Sequence, residues 1–301
     1  MHHFALPRPK PARQRLTRYA ITLGALALVG GCINRAVPPI LQPAGGTLAA
    51  ATATAARVDA LLPADALLIG EQHDAAEHQQ IEQQVVAHLA SRGLLAALAI
   101  EMADAGASTA TLKPTATEQQ VQHALKWNDK GWPWAAYGPA VMTAVRAGVP
   151  VLGANLPMTQ MRSSMGNAKL DMQLPGPALK AQQQLIRIGH CNLLPESQIT
   201  PMTRIQIAKD RAMAQTIEDL ALPGKVVVLL AGNGHVNRQL GVPQHLPATL
   251  QARAVHLRAG DATEKDVAFD STWPTPALPE KDYCAGLKEQ LGNKAGAGGR
   301  R

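Results

Sequence analysis

Two carboxylates and two imidazoles stand out because each closes an apolar run. In "LLIGEQHD", Leu67 to Asp74, oil gives way to Glu71 and His73 within five residues. If the chain stays extended there, both side chains point to the same side. "ALAIE" ends at Glu101, "VPVLGAN" at Asn155, and "VVVLLAGNGH" at Asn233 and His235. Glu71, His73, Glu101 and His235 are the right types to hold a divalent metal with a water. They also suit a general base facing an ester or peptide bond. Gln206 and Asp210 share a helical face and could orient them from behind, although a solvated helix face accommodates the same pair. The chain carries no HExxH, no zinc-type cysteine spacing and no GxSxG elbow, so no local motif selects a hydrolytic chemistry.

Residues this far apart meet only if a fold gathers them. Five short apolar runs, "ALLIGE", "ALAIE", "VPVLGAN", "KVVVLLAG" and "ARAVHL", alternate with helical patterns. That alternation predicts a doubly wound α/β domain: a central, mostly parallel sheet buried on both faces and flanked by helices. The carboxyl ends of such strands line one crevice, where ligands bind. Asp74 with Glu77 predicts an N-cap for the helix after the first strand, ending at Gly93. A second helix is read from Pro139 to Gly148, and a third from Thr200, with Pro201 in its first turn, to about Leu220. The stretch 105–136, with "WNDKGWPW" at its centre, reads as a lid or insertion.

The termini read differently from the domain. Arg8, Lys10, Arg13, Arg15 and Arg18 precede "AITLGALALVGG" and Cys32, the pattern of an export signal. "VGGC" resembles a bacterial lipobox, with Cys32 as the acylated residue. Residues 1–31 are therefore assigned to a lipoprotein signal peptide, 32–56 to a flexible tether, 57–290 to the α/β domain and 291–301 to a disordered tail. Of the net charge of +7, five positive charges belong to the signal. The remaining near-balance, without a basic stripe interleaved with aromatics, argues against nucleic acid as a partner. With Cys32 lipidated, Cys191 and Cys284 remain as an even pair in an oxidising compartment, and a disulfide between them is expected.

"LLIGEQHD" with the following "HQQ", then "LAIEM", "YGPAVMTAVRAGVPVLGANLP", "IAKDRAMAQTI" and "AGNGHVNRQLGVPQHL", in that order, resembles the ChaN-like haem-binding lipoproteins of the Tiki superfamily. The resemblance implies a lipoprotein that binds haem for iron uptake, anchored through a lipidated, palmitate-bearing Cys32 in the cell envelope. The outer membrane, facing the periplasm, is the expected site. It further implies a homodimer sandwiching haem, and an outer-membrane haem receptor as partner. In that family a tyrosine holds the haem iron and a histidine of the partner subunit supports it. Tyr137, beside Trp132 and Trp134, is the residue expected to ligate, with His73, His235, Asn155 and Asn233 as further haem contacts. A phenolate suits ferric iron, while a tyrosine that packs the lid and hydrogen-bonds through its hydroxyl is the other reading of Tyr137. The alternative from the same superfamily is a metal-dependent peptidase or esterase using a divalent metal with Glu71, His73, Glu101 and His235. On this reading the chain is a haem-binding protein before it is an enzyme.

Overall fold

The computed structural model describes residues 45–260 and 267–288. The signal, Cys32, residues 32–44 of the tether and the 291–301 tail lie outside them.

Long apolar strands flanked by helices build one six-stranded sheet. The strands are β1 (Ala66–Glu71), β2 (Leu95–Asp104), β3 (Val151–Asn155), β4 (Val226–Gly232), β5 (Ala252–Ala259) and β6 (Ser271–Thr275). Their order is β3-β2-β4-β1-β5-β6, and every pairing is parallel. This is the α/β architecture that the alternating pattern predicts. Alternate residues of each strand feed opposite faces. Leu67, Ile69, Leu98, Ile100, Val228 and Leu230 face one apolar layer, while Ala66, Leu68, Ala99, Val227 and Leu229 face the other. The first layer is closed by α2 (Ala76–Ser91) and α4 (Trp134–Arg146), through Val85, Val86, Leu89, Val141 and Val145. The second is closed by α7 (Glu196–Leu220), through Met213, Ala214 and Ile217.

Three local expectations are corrected and a sixth strand is added. First, part of the presumed tether is helical: α1 (Gly45–Asp59) packs on the domain. Val58 is fully buried, Arg57 lies 5.8 Å from the Trp273 ring, and Asp59 pairs with His88 and Arg92. Second, the edge strand β6 carries Pro274, which an edge tolerates because one side of its backbone needs no partner. Third, α4 and α7 begin five and four residues before the expected starts, with Pro139 and Pro201 inside them. A proline forfeits the bond to the carbonyl four residues back. Here those carbonyls belong to the exposed residues Ala135 and Ser197, where water can satisfy them. The backbone N–H of Trp134 is capped instead by Asp129 Oδ1 at 2.8 Å. Fourth, α2 has Ala75 at its N-cap with no side-chain cap. Asp74 accepts instead from Tyr283, Lys281 and Gln72.

Between β2 and β4 the chain adds α3 (Glu118–Ala124), α5 (Met158–Gly166) and α6 (Gly176–Gly189), besides α4, β3 and α7. The 105–136 stretch supplies α3 and an aromatic wall. The expected disulfide is present: Cys191 and Cys284 are joined across 93 positions, with Cα atoms 5.7 Å apart.

Candidate functional site

Because β4 lies between β1 and β2, the carboxyl ends of three neighbouring strands share one edge. The acidic and imidazole residues meet there. His73 Nδ1 is 2.7 Å from Glu71 Oε1, a contact made by a turn, because β1 ends at Glu71 and the chain does not stay extended to His73. His73 Nε2 is 4.0 Å from Glu101 Oε2, and Glu101 Oε1 is 3.3 Å from His235 Nε2. His235 Nδ1 is 2.5 Å from Asp210 Oδ1. The result is a chain of alternating acid and imidazole: Glu71, His73, Glu101, His235, Asp210.

Each end is held by the fold. Glu71 accepts from three donors: His73, the Tyr137 hydroxyl at 2.8 Å and Gln79 Nε2 at 2.5 Å. Gln79 is on α2, one turn after the helix begins, so α2 fixes the carboxylate as well as packing the sheet. The Gly232 N–H donates to Glu101 at 2.9 Å, and Lys209 Nζ stands 3.7 Å from its other oxygen. A Cβ on residue 232 would sit 3.0 Å from His73 Nε2, closer than nearly all Cβ contacts, so His73 reaches Glu101 across a glycine. His235 sits on the four-residue helix α8 (Asn233–Val236), directly after β4. Asp210 and Gln206 of α7 both reach it, as their shared helical face implies.

The electrostatics follow from this geometry. Burial opposes charge on His235, but the carboxylates of Glu101 and Asp210 on its two nitrogens outweigh it and raise its pKa to about 10. It is held as a cation at neutral pH. Burial likewise works against the Glu101 carboxylate, yet His235 and Lys209 keep it below the ordinary range. Burial raises Asp210 to about 6, with His235 pulling the other way. On His73 burial is again outweighed, by Glu71 and Glu101, and its pKa lies above the ordinary value. The cluster is thus an internally balanced network. An imidazole already protonated on both nitrogens cannot accept a proton near neutrality, so His235 does not suit the role of general base. Among the described residues, no three His, Cys, Asp or Glu side chains are disposed to hold a metal ion.

Only one member of this chain meets solvent substantially. The His73 side chain is 42% exposed, while Glu71, Glu101, Asp210 and His235 are buried. An aromatic wall rises beside it. Trp132 contacts the His73 ring edge-on at 4.8 Å, and Tyr137, Trp127 and Trp134 continue the stack behind. Tyr137 is 2% exposed, with its hydroxyl spent on Glu71. Burial and the charge of Glu71 push its phenol above the ordinary value, against the phenolate that iron ligation needs. The Tyr137 hydroxyl is thus turned to Glu71 and not to the rim beside His73. The Asn233 amide donates to the Leu257 carbonyl of β5, and Asn155 Oδ1 is buried without a hydrogen-bond partner among the described residues.

Sequence reasoning passed over Gln79 and Lys209, whereas Gly232 was legible as a glycine that permits close approach at a strand end. Lys209 stands beside Asp210, and its helical phase relative to Gln206 was the available signal. Nothing marked Glu82, which is fully buried on α2 with neither carboxylate oxygen hydrogen-bonded. Burial and the nearby Glu71 raise its pKa well above the ordinary value. A hollow of about 510 Å³ lies at the other end of the strands, between Pro63, Arg92, Leu94 and Gln251. It contains none of the acid–imidazole chain.

Comparison with known proteins settles the lineage. Residues 57–246 match the family described as haem-binding uptake, Tiki superfamily, ChaN. The chain belongs to that family. Among solved structures it is similar to ChaN of Campylobacter jejuni, described as binding haem cofacially. The two share 27% identity and a TM-score of 0.59 over 71% of this chain and 88% of that one. The type III effector HopBA1 aligns at 17% identity and a TM-score of 0.43, over 80% of this chain and 100% of that one. The erythromycin esterase EreC aligns at 14% and 0.40, over 65% and 70%. No curated protein matches the chain. All six quoted blocks of the resemblance fall within the matched span.

Proposed function

We propose that this family member binds haem at the carboxyl-end crevice, as a lipid-anchored envelope protein serving haem and iron uptake. The observation that carries the reading is His73. It stands at the rim with Nδ1 turned to Glu71 and Nε2 4.0 Å from Glu101 Oε2. A carboxylate on one nitrogen orients a histidine and raises its basicity toward iron on the other. Trp132 gives a flat apolar surface beside it. These residues fit a porphyrin with an iron centre, which would bring ligation and strong visible absorption. Tyr137 and Gln79 serve from behind by fixing Glu71, and His235 with Lys209 balances Glu101.

Membrane anchoring through Cys32 is part of this proposal and rests on the lipobox resemblance. So does residence in the outer membrane, facing the periplasm, with an outer-membrane haem receptor as partner. Dimerisation around haem is supported by the cofacial binding described for the Campylobacter jejuni protein. Exposed apolar side chains between β3 and β4, at Met158, Met172, Leu185 and Ile188, offer contact area for a flat ligand or a second copy. The test is titration of the purified protein with ferric haem. A shift of the Soret band that saturates near one haem per chain is expected. No shift at micromolar haem would overturn the reading.

A further inference from the structure

The disulfide does more than join two loops; it links the opposite sides of the crevice. On one side is the exit of β1. There Tyr283, near the end of the described chain, donates to Asp74 Oδ2 at 2.9 Å and accepts from Gln72 Nε2 at 3.1 Å. Lys281 Nζ lies 3.2 Å from the same carboxylate and 4.8 Å from the Tyr283 ring. Gln72 and Asp74 flank His73. On the other side is α7, whose Gln206, Lys209 and Asp210 face Glu101 and His235. The helix continues about 15 Å beyond Gln206 toward its start at Glu196, at 1.5 Å per residue. The elbow between α6 and α7 follows, where Cys191 and Asn192 both adopt left-handed backbone at φ +57° and +55°. Such angles are uncommon outside glycine and mark an imposed conformation. Cys284, next to Tyr283, is bonded to Cys191 in that elbow.

We infer that the 276–288 strap and the α6–α7 elbow form a covalent arch over the crevice, and that reduction of Cys191–Cys284 opens it to ligand. This rests on the haem reading above. Without the bond, the strap's ties at the crevice are Tyr283 and Lys281 on Asp74 and Gln72. Tyr283 is 53% exposed and the Lys281 side chain 59% exposed. Polar ties open to water hold a segment weakly, so the covalent bond carries the closure. The reductant is a dithiol. One thiolate attacks a sulfur of the bond and forms a mixed disulfide, and the second thiol displaces it. The dithiol leaves oxidised to its own disulfide, while Cys191 and Cys284 take up two electrons and two protons as free thiols.

The experiment compares the oxidised protein, the same protein reduced with a phosphine, and the double variant Cys191→Ser with Cys284→Ser. Haem uptake and release to an excess of apomyoglobin are followed at the Soret band, and hydrogen exchange at 72–74 and 276–288. In both opened forms the strap is expected to exchange faster, with β1 and β4 still protected, and haem to leave at least fivefold faster. Haem rates within twofold of the oxidised protein, or an unchanged strap, would overturn the arch while leaving the haem reading intact. Failure of all three forms to bind haem would overturn both. Chemical reduction of the folded wild type guards against a variant that fails to fold.

Discussion

His235 is a buried cation clamped by two acids, and this makes stability depend on pH in a definite direction. Its folded pKa, about 10, exceeds the ordinary 6.5. The stabilisation is therefore complete below about pH 6.5 and is lost as pH rises through 10. The melting temperature should fall across that window, and His235→Gln should flatten the fall; an equal slope in the variant would contradict the clamp. His73 works in the opposite sense for ligand. A proton and iron compete for Nε2, and its pKa lies above 6.5. Haem affinity, read by Soret titration at a series of pH values, should weaken on acidification beginning above pH 6.5. Gly232→Ala tests the approach directly: a methyl 3.0 Å from His73 Nε2 requires the ring to give by a few tenths of an ångström. A cost of about 1–3 kcal/mol in stability or haem affinity is expected. The four acid and imidazole residues were legible because each ends an apolar run. The post of Tyr137 was not, since the sequence gives no helical phase against Glu71.

At the level of elements, the sheet was readable where strands are continuous and aliphatic. It was unreadable where they are not: "STWPT" has neither a run nor an alternation, yet it pairs along β5 as an edge. Small residues hid α1 in the same way. Its composition resembles linker, and its place is fixed by tertiary contacts of Thr54, Arg57, Val58 and Asp59. A chain begun at residue 60 should therefore melt several degrees below one begun at residue 44, because Val58 and the Trp273 face lose their cover. Equal melting temperatures would mean that α1 contributes only surface. Among the aromatic elements, Trp132 touches His73 while Trp127 and Trp134 stand behind. Trp132→Ala should cost about tenfold in haem affinity by Soret titration, roughly 1.4 kcal/mol, and exceed the effect of Trp134→Ala.

Over the whole molecule, one parallel sheet and one disulfide bring distant parts of the chain to a single rim. The cysteine count exposed the bond before any fold was known. That its two ends belong to opposite walls of the crevice was not legible, because it depends on where the strap returns after β6. Closing a loop of 93 positions restrains the unfolded chain by about 4–5 kcal/mol in the chain-entropy model, so reduction should also lower the melting temperature. The central claim is narrower: the gathered strand ends present His73 to haem, with Glu71 and Tyr137 fixed behind it. The most direct measurement is the haem dissociation constant of His73→Ala against wild type, read at the Soret band near neutral pH. A loss of tenfold or more with an unchanged fold is expected. An affinity equal to wild type would contradict the assignment of His73 as the residue that meets haem.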